Sequence, residues 1–275
     1  MIHEKNESLC VVIPFRFGQQ DLPNKNIIKI QNVYLFQRSL NHALFLKSFL
    51  NLRICLSTNR PEVLSEINVL NKILNHTKLS RGKKSDLVLS DIEIDVHKRS
   101  KRLSSKTSPI SETLLDVRQS YKERKIDFQS WLLLQPTTPF RSKADIKTII
   151  KFLSNETRKD YSLISLKTVD ENHPARMYYI KNCKLNPFMG SDKLSRDRRQ
   201  DLDPVYIRDG GFYLISDSLA KKGILFAKNP NYFLRQYPWN INIDSKYDLA
   251  AAKSISNLEV VDDPNSKSHD YKEYL

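Results

Sequence analysis

The sequence predicts an α/β protein with a mostly parallel sheet and helices on both faces. Three observations lead there. Short runs rich in Val, Ile and Leu recur along the chain, apolar throughout as in strands buried on both faces. Stretches of helical character separate those runs, in the alternation that builds parallel sheets. Polar loops follow the strands, and in such sheets ligands sit at the carboxyl ends of the strands.

Leu9–Pro14 reads as the first strand, with β-branched residues and a stop at Pro14. A helix is expected from Leu35 to about Leu50, then a strand over Leu52–Ser57. Ser111–Glu123 reads as helix, and Trp131–Gln135 as a strand apolar enough to be central. Ser142 with Asp145 three residues on forms a capping box that opens a helix through about Leu153. Tyr161–Leu166 is the next strand. Residues 60–106 are long, basic and weakly patterned, and read as a helix plus a mobile loop. Residues 171–208 hold Pro174, Pro187 and Pro204 and read as an excursion from the sheet. The polar tail from Asp262 reads as disordered. There is no internal repeat.

At 275 residues the chain is long enough for a sizeable core, and 40% hydrophobic with 28% charged residues is ordinary for a globular protein. No apolar run approaches the roughly 18 residues of a membrane span. Leu40–Leu56 comes nearest, but Asn41, His42, Lys47, Asn51 and Arg53 interrupt it. The first eight residues lack the basic-then-apolar plan of a signal peptide, so a cytoplasmic protein is expected. Cys10, Cys55 and Cys183 are far apart and odd in number, which argues against a disulfide frame or a thiolate metal site. Cys10 and Cys55 read as core. The histidines show no ligand spacing, and His173 is the one candidate for catalysis.

The net charge of +14 suits nucleic acid, an anionic membrane face or a strongly anionic small substrate. Much of the excess lies between Lys78 and Lys106. Few aromatics interleave there and no nucleic-acid motif appears, so a solvated basic loop is the plainer reading.

The loop after the first strand runs Phe15-Arg16-Phe17-Gly18-Gln19-Gln20-Asp21-Leu22-Pro23-Asn24-Lys25-Asn26. Two cations with free backbone N–H groups at a strand exit are a common way to hold phosphate, and equally a common surface feature. Four more segments stand out: Ser57-Thr58-Asn59, Gln135-Pro136-Thr137-Thr138-Pro139-Phe140-Arg141, Arg199–Tyr206 leading into Asp209-Gly210-Gly211-Phe212-Tyr213, and Asn242-Ile243-Asp244-Ser245-Lys246-Tyr247-Asp248.

In order and over roughly residues 9–252, these segments resemble the acylneuraminate cytidylyltransferases, the CMP-sialic acid synthetases. They are similar, more distantly, to the eight-carbon Kdo cytidylyltransferases. The resemblance implies a Rossmann-like nucleotidyltransferase fold over 1–170 and 209–261, with residues 171–208 as a dimerisation and sugar-recognition excursion. It also implies transfer of CMP from CTP to a 2-keto sugar acid, a sialic-acid-like nine-carbon one on the likeness of Arg199–Tyr206, with Mg²⁺, by a homodimer. A catalytically weak relative that binds without turnover stays open, as does a Kdo-type enzyme; a nucleic-acid binder rests on charge alone.

Carried over by resemblance, Arg16 and Lys25 hold the triphosphate as catalytic cations, with Gly18 and Asn26 beside them. Arg99 falls near an arginine that reads the cytosine, although it also reads as one member of a basic run. Gln135, Arg199, Gln200 and Arg208 fall to the sugar acid, and Asp244 with Asn242 to Mg²⁺. Thr138 and Arg141 belong to the Gln135 motif, with Arg141 able to fix only the turn. Asp248 reads as the reciprocal half of a capping box with Ser245. The chain departs from the pattern at Gln19-Gln20, where a Ser-Lys pair is usual, and at Phe17, where a small residue is common. It departs again at Asn59, Asp209 and Asn242, where Asp, Asn and Asp are usual.

Overall fold

A computed structural model describes residues 9–18, 22–66, 94–169, 172–189, 198 and 202–257. The strands are β1 (Leu9–Pro14), β2 (Lys29–Ile30), β3 (Val33–Tyr34), β4 (Leu52–Thr58), β5 (Ile94–Lys98), β6 (Ser130–Leu133), β7 (Ser162–Thr168), β8 (Tyr178–Lys181), β9 (Lys184–Pro187), β10 (Tyr206–Ser216) and β11 (Asn231–Leu234). The helices are α1 (Leu35–Lys47), α2 (Glu62–Glu66), α3 (Ile110–Glu123), α4 (Lys143–Asn155), α5 (Asp217–Ala220) and α6 (Lys246–Asn257).

Seven strands form one sheet in the order β11-β7-β10-β6-β1-β4-β5. β10 runs antiparallel to both of its neighbours, and every other pairing is parallel. Helices cover both faces, which is why β1 is buried at every position. On one face Val11, Ile13, Leu132, Leu134, Phe212 and Leu214 meet α1 and α4. On the other, Cys10, Val12, Cys55, Trp131 and Leu133 meet Leu114, Val117 and Tyr121 of α3, spaced at helical period. Cys10 and Cys55 are thus buried free thiols, as read from the sequence, and Cys183 is exposed. The capping box is present too: Ser142 Oγ accepts from Asp145 N, and Asp145 Oδ2 accepts from Ser142 N.

A third apolar cluster decides where the two ends of the described chain meet. Ile30 and Leu35 pack with Phe140, Ile243, Ala252 and Ile255, so α6 docks beside the β2–β3 ribbon. That docking carries the 242–244 segment to the loop leaving β1.

The structure corrects the reading of one long segment. Residues 60–106 contain a strand: Ile94–Lys98 adds β5 to the edge of the sheet. Its alternation of apolar and charged residues suits an edge with one solvated side, where a continuous apolar run is not needed. Residues 67–93, and with them most of the expected loop, lie outside the described residues, as does the tail from Asp262. The strand β10, broken by two glycines, runs against the otherwise parallel sheet. His173 caps a short turn: its Nδ1 accepts from Ala175 N and its Nε2 bonds Asp203 O.

β10, β11 and α4 are joined by a buried ion network that the sequence does not announce. Arg235 is fully buried, with Nε 3.0 Å from Asp145 Oδ2 and Nη1 2.7 Å from Asp209 Oδ2. Its Nη2 donates to the carbonyls of Phe140 and Trp239. Gly211 is the position this requires, since a Cβ there would come within 2.1 Å of Arg235 Nη1. Gly211→Ala is therefore expected to cost about 1–3 kcal/mol through overpacking. A urea titration monitored by circular dichroism reads the loss, and an unchanged midpoint would show that Arg235 can yield.

Candidate active site

The loop after β1 is held by side chains from elsewhere in the sheet. Phe15 N donates to Ser57 O, which prolongs the β1–β4 pairing past Pro14. Asn59 Oδ1 then accepts from Phe17 N at 2.9 Å, and Asn59 Nδ2 donates back to Phe17 O. The Phe17 ring is buried edge-on against Phe15, so the bulky residue belongs to the core and not to the cleft. Asn26 is buried and donates Nδ2 to Arg16 O at 2.8 Å, so its amide shapes the loop. Gly18 sits at φ +85°, with no other described residue within 4 Å of where a Cβ would stand.

Arg16 is half-buried and donates to the carbonyls of Ser104 and Ser105, beyond β5. Arg99 lies nearby, buried, donating to Ser57 Oγ at 3.2 Å and to Ser57 O at 3.1 Å. Burial, then the neighbouring Arg16 charge, pulls Arg99 down to about 10, which leaves it charged at neutral pH. Two guanidiniums held at one end of the sheet make a positive field that suits a polyanion.

The second cluster forms where α6 docking brings the chain ends together. Lys25 Nζ pairs with Asp244 Oδ1 at 3.1 Å across 219 residues of sequence, and Asn242 Nδ2 donates to Asp244 Oδ2. A carboxylate can only accept, so this bond fixes the Asn242 amide with its oxygen turned away from Asp244. Asn242 Oδ1 is shielded from solvent and has no hydrogen-bond partner among the described residues. It lies beside Gly210, whose added Cβ would also meet Thr138 Oγ1 at 3.4 Å and Gln135 Oε1 at 3.9 Å. Gly210 has φ +77°, a conformation costly for other residues. Hydrogen bonds to backbone carbonyls lock the group: Ile243 N donates to Thr137 O, and the Arg141 guanidinium donates to Gln135 O and Gly211 O. Arg141 thus fixes the turn. Asp248 Oδ2 accepts from Asp244 N, Ser245 N and Ser245 Oγ, the capping role read from the sequence.

No set of three metal-ligating side chains exists among the described residues. The donors present are nonetheless all oxygen: an exposed Asp244 carboxylate and the unpartnered Asn242 amide oxygen. The Asp244 carboxylate fits a hard cation that takes most of its ligands from phosphate and water, whereas Asn242 Oδ1, shielded and turned away, would join it only after the amide rotates.

Arg208 sits away from these groups, exposed and stacked 4.7 Å over the Phe226 ring, on the face that α3 covers. Arg199 and Gln200 lie outside the described residues. Two hollows, of about 400 and 610 Å³, open at the opposite end of the sheet around Arg158 and contain none of the candidate site residues. The sequence reading passed over His97, whose ring joins Ser57 to Asp116. Strand alternation of Asp95, His97 and Arg99 is the signal that could have found it.

This fold, with its polar groups gathered at the carboxyl ends of β1, β4 and β6, is the α/β fold of nucleotidyltransferases. It aligns with a CMP:2-keto-3-deoxy-manno-octonic acid synthetase complexed with CTP at TM-score 0.56 and 12% identity, covering 92% of this chain and 100% of that one. It also aligns with the 4-diphosphocytidyl-2C-methyl-D-erythritol synthase of Anaerococcus prevotii at TM-score 0.52 and 12% identity, covering 92% and 99%.

Within that class the chain is a distant homologue of the CMP-sugar-acid cytidylyltransferases. It is 24% identical over 243 residues to an N-acylneuraminate cytidylyltransferase of Streptococcus agalactiae, covering 88% of this chain and 51% of that protein. It is 23% identical over 249 residues to a pseudaminic acid cytidylyltransferase of Campylobacter jejuni, covering 90% and 95%. A CMP-N,N'-diacetyllegionaminic acid synthase of Legionella pneumophila matches at 25% over 170 residues, covering 58% and 68%. The chain spans about half the length of the Streptococcus agalactiae relatives it matches. No protein-family model matches it.

Proposed function

We propose that the protein transfers CMP from CTP to a nine-carbon 2-keto sugar acid. The observation that carries this reading is the meeting of Lys25 with the Asn242–Asp244 pair beside Gln135 and Gly210. In the reaction the anomeric hydroxyl oxygen bonds the α-phosphorus, the bond to the bridging oxygen breaks, and pyrophosphate leaves with that electron pair. The hydroxyl proton passes to solvent or to the departing phosphate.

Arg16 and Lys25 supply fixed positive charge along the triphosphate, which lowers the cost of negative charge developing on the leaving group. Gly18 offers the phosphates close approach to backbone, and Asn26 keeps the loop in shape. Arg99 belongs at the nucleoside end. Gln135 faces the acceptor, and Arg199 and Gln200 are assigned to its carboxylate. Arg208 is proposed for the same region only through rotation off Phe226. Asp244, joined by Asn242 once its amide turns its oxygen outward, would hold Mg²⁺, which when bound neutralises phosphate charge.

Homodimerisation through the 171–208 excursion is part of the proposal. Among the described residues its β8–β9 hairpin pairs only with itself and leaves Ile180 77% and Leu185 65% exposed, with Phe188 exposed beside them. A cytoplasmic setting is proposed as well; among the described residues no helix is long and apolar enough to cross a membrane. A second reading, binding without turnover, draws on Asn242, an uncharged ligand where the family pattern has a carboxylate.

Mass spectrometry of products tests the substrate. The protein with CTP, Mg²⁺ and sialic, legionaminic, pseudaminic or Kdo-like acid is expected to yield the CMP adduct of a nine-carbon acid. An adduct with the eight-carbon acid alone would move the assignment to the Kdo type.

A further inference from the structure

A chain of hydrogen bonds behind Arg99 has no part in the reaction as described, yet ends on that guanidinium. Ser57 and His97 face each other across the parallel β4–β5 pair. Ser57 Oγ is 3.1 Å from His97 Nδ1, and His97 Nε2 is 3.1 Å from Asp116 Oδ2 on α3. Arg99 donates Nε–H to the same Ser57 oxygen.

Donor bookkeeping orders the chain. Asp116 only accepts, so His97 Nε2 carries the hydrogen, and in a neutral ring Nδ1 is then the acceptor. Ser57 O–H donates to Nδ1 and keeps a lone pair for Arg99. The sequence of partners looks like a hydrolase triad, but Ser57 is fully buried and its lone pair is engaged by Arg99, so it meets no substrate.

We propose that Ser57, His97 and Asp116 are positioning residues that hold the Arg99 guanidinium for the nucleotide, with neutral His97 as the working form. The proposal rests on the nucleotide role given to Arg99 above. A protonated ring would point Nδ1–H at the Ser57 oxygen, deprive the Ser57 hydrogen of its acceptor and set a second cation beside Arg99. Among the described residues the charged groups facing His97 are Asp116 from α3 and Arg99 beyond the end of β5; β4 contributes the uncharged Ser57. Burial lowers the ring's pKa from its ordinary 6.5, Asp116 opposes the shift, and Arg99 reinforces it. CTP binding is thus at full strength above the ordinary imidazole value and weakens as pH falls through the lowered one.

Calorimetric CTP binding from roughly pH 5 to 8 tests this across the range where an imidazole titrates. His97→Leu gives the Ser57 hydrogen no acceptor and is expected to bind CTP about tenfold more weakly at neutral pH, the scale of one lost hydrogen bond to a charged group. His97→Asn places an amide oxygen near the Nδ1 position and is expected to restore affinity while flattening the acid-side fall. The ligand's own titration is common to all variants, so the difference between profiles reads the imidazole. Melting temperatures confirm that each variant is folded. Wild-type affinity and an unchanged pH profile in His97→Leu, with Arg99→Ala still weakened, would overturn the positioning chain alone. Failure of the wild type to bind CTP, or wild-type binding by Arg99→Ala, would remove the nucleotide role and this inference with it.

Discussion

Arg235→Met is expected to lower the unfolding free energy by about 3–5 kcal/mol, the scale for breaking a buried ion network by removing one partner. The reason is what the substitution leaves behind. Asp209 is fully buried and Asp145 nearly so, and both lose the cation that offsets their desolvation. Ser165 Oγ and Gly211 N would still donate to Asp209 Oδ1, but neither brings positive charge. Methionine fills most of the vacated volume, so the loss reports charge rather than a cavity. Urea unfolding, read as the midpoint at constant slope, measures it. A midpoint within error of the wild type would show that the network contributes nothing net. Because Asp209 is the residue before Gly210, the site beside Gln135 is expected to loosen in the same variant.

Lys25→Ala and Asp244→Ala are each expected to abolish CMP-sugar formation, a fall of about 10²–10³-fold or more on the scale of removing one group that stabilises developing charge. Stability is expected to change little. The Lys25–Asp244 pair has its carboxylate 66% exposed, and exposed pairs are worth about 0–1 kcal/mol. Activity and stability therefore separate in these variants, whereas in Arg235→Met they fall together. Initial rates beside melting curves make the comparison. Turnover like the wild type from either folded variant would withdraw that residue's role.

Much of the fold could be read from sequence because β1, β4, β6 and β7 are buried on both faces and their apolar runs say so. The capping box at Ser142 and the buried cysteines were legible for the same kind of local reason. β5 was not, since an edge strand needs no continuous apolar run and this one follows a long basic stretch. Nor was the reversed direction of β10, which depends on which neighbours it pairs with. Arg235 is one of 45 Lys and Arg residues, and nothing local marks it for burial. The meeting of Lys25 with Asp244 was reachable only through family resemblance, because the α6 packing that produces it is tertiary. Arg99 illustrates the opposite case: a member of a basic run that the structure turns inward onto Ser57.

The most direct test of the account is pyrophosphate release by the wild-type protein with Mg²⁺, supplied with CTP alone, a nine-carbon 2-keto sugar acid alone, or both. Release that requires both substrates is the result predicted. Binding of CTP with no release from any acid would contradict it, and would make the protein a nucleotide binder in which the uncharged Asn242 has replaced the ligand that turnover needs.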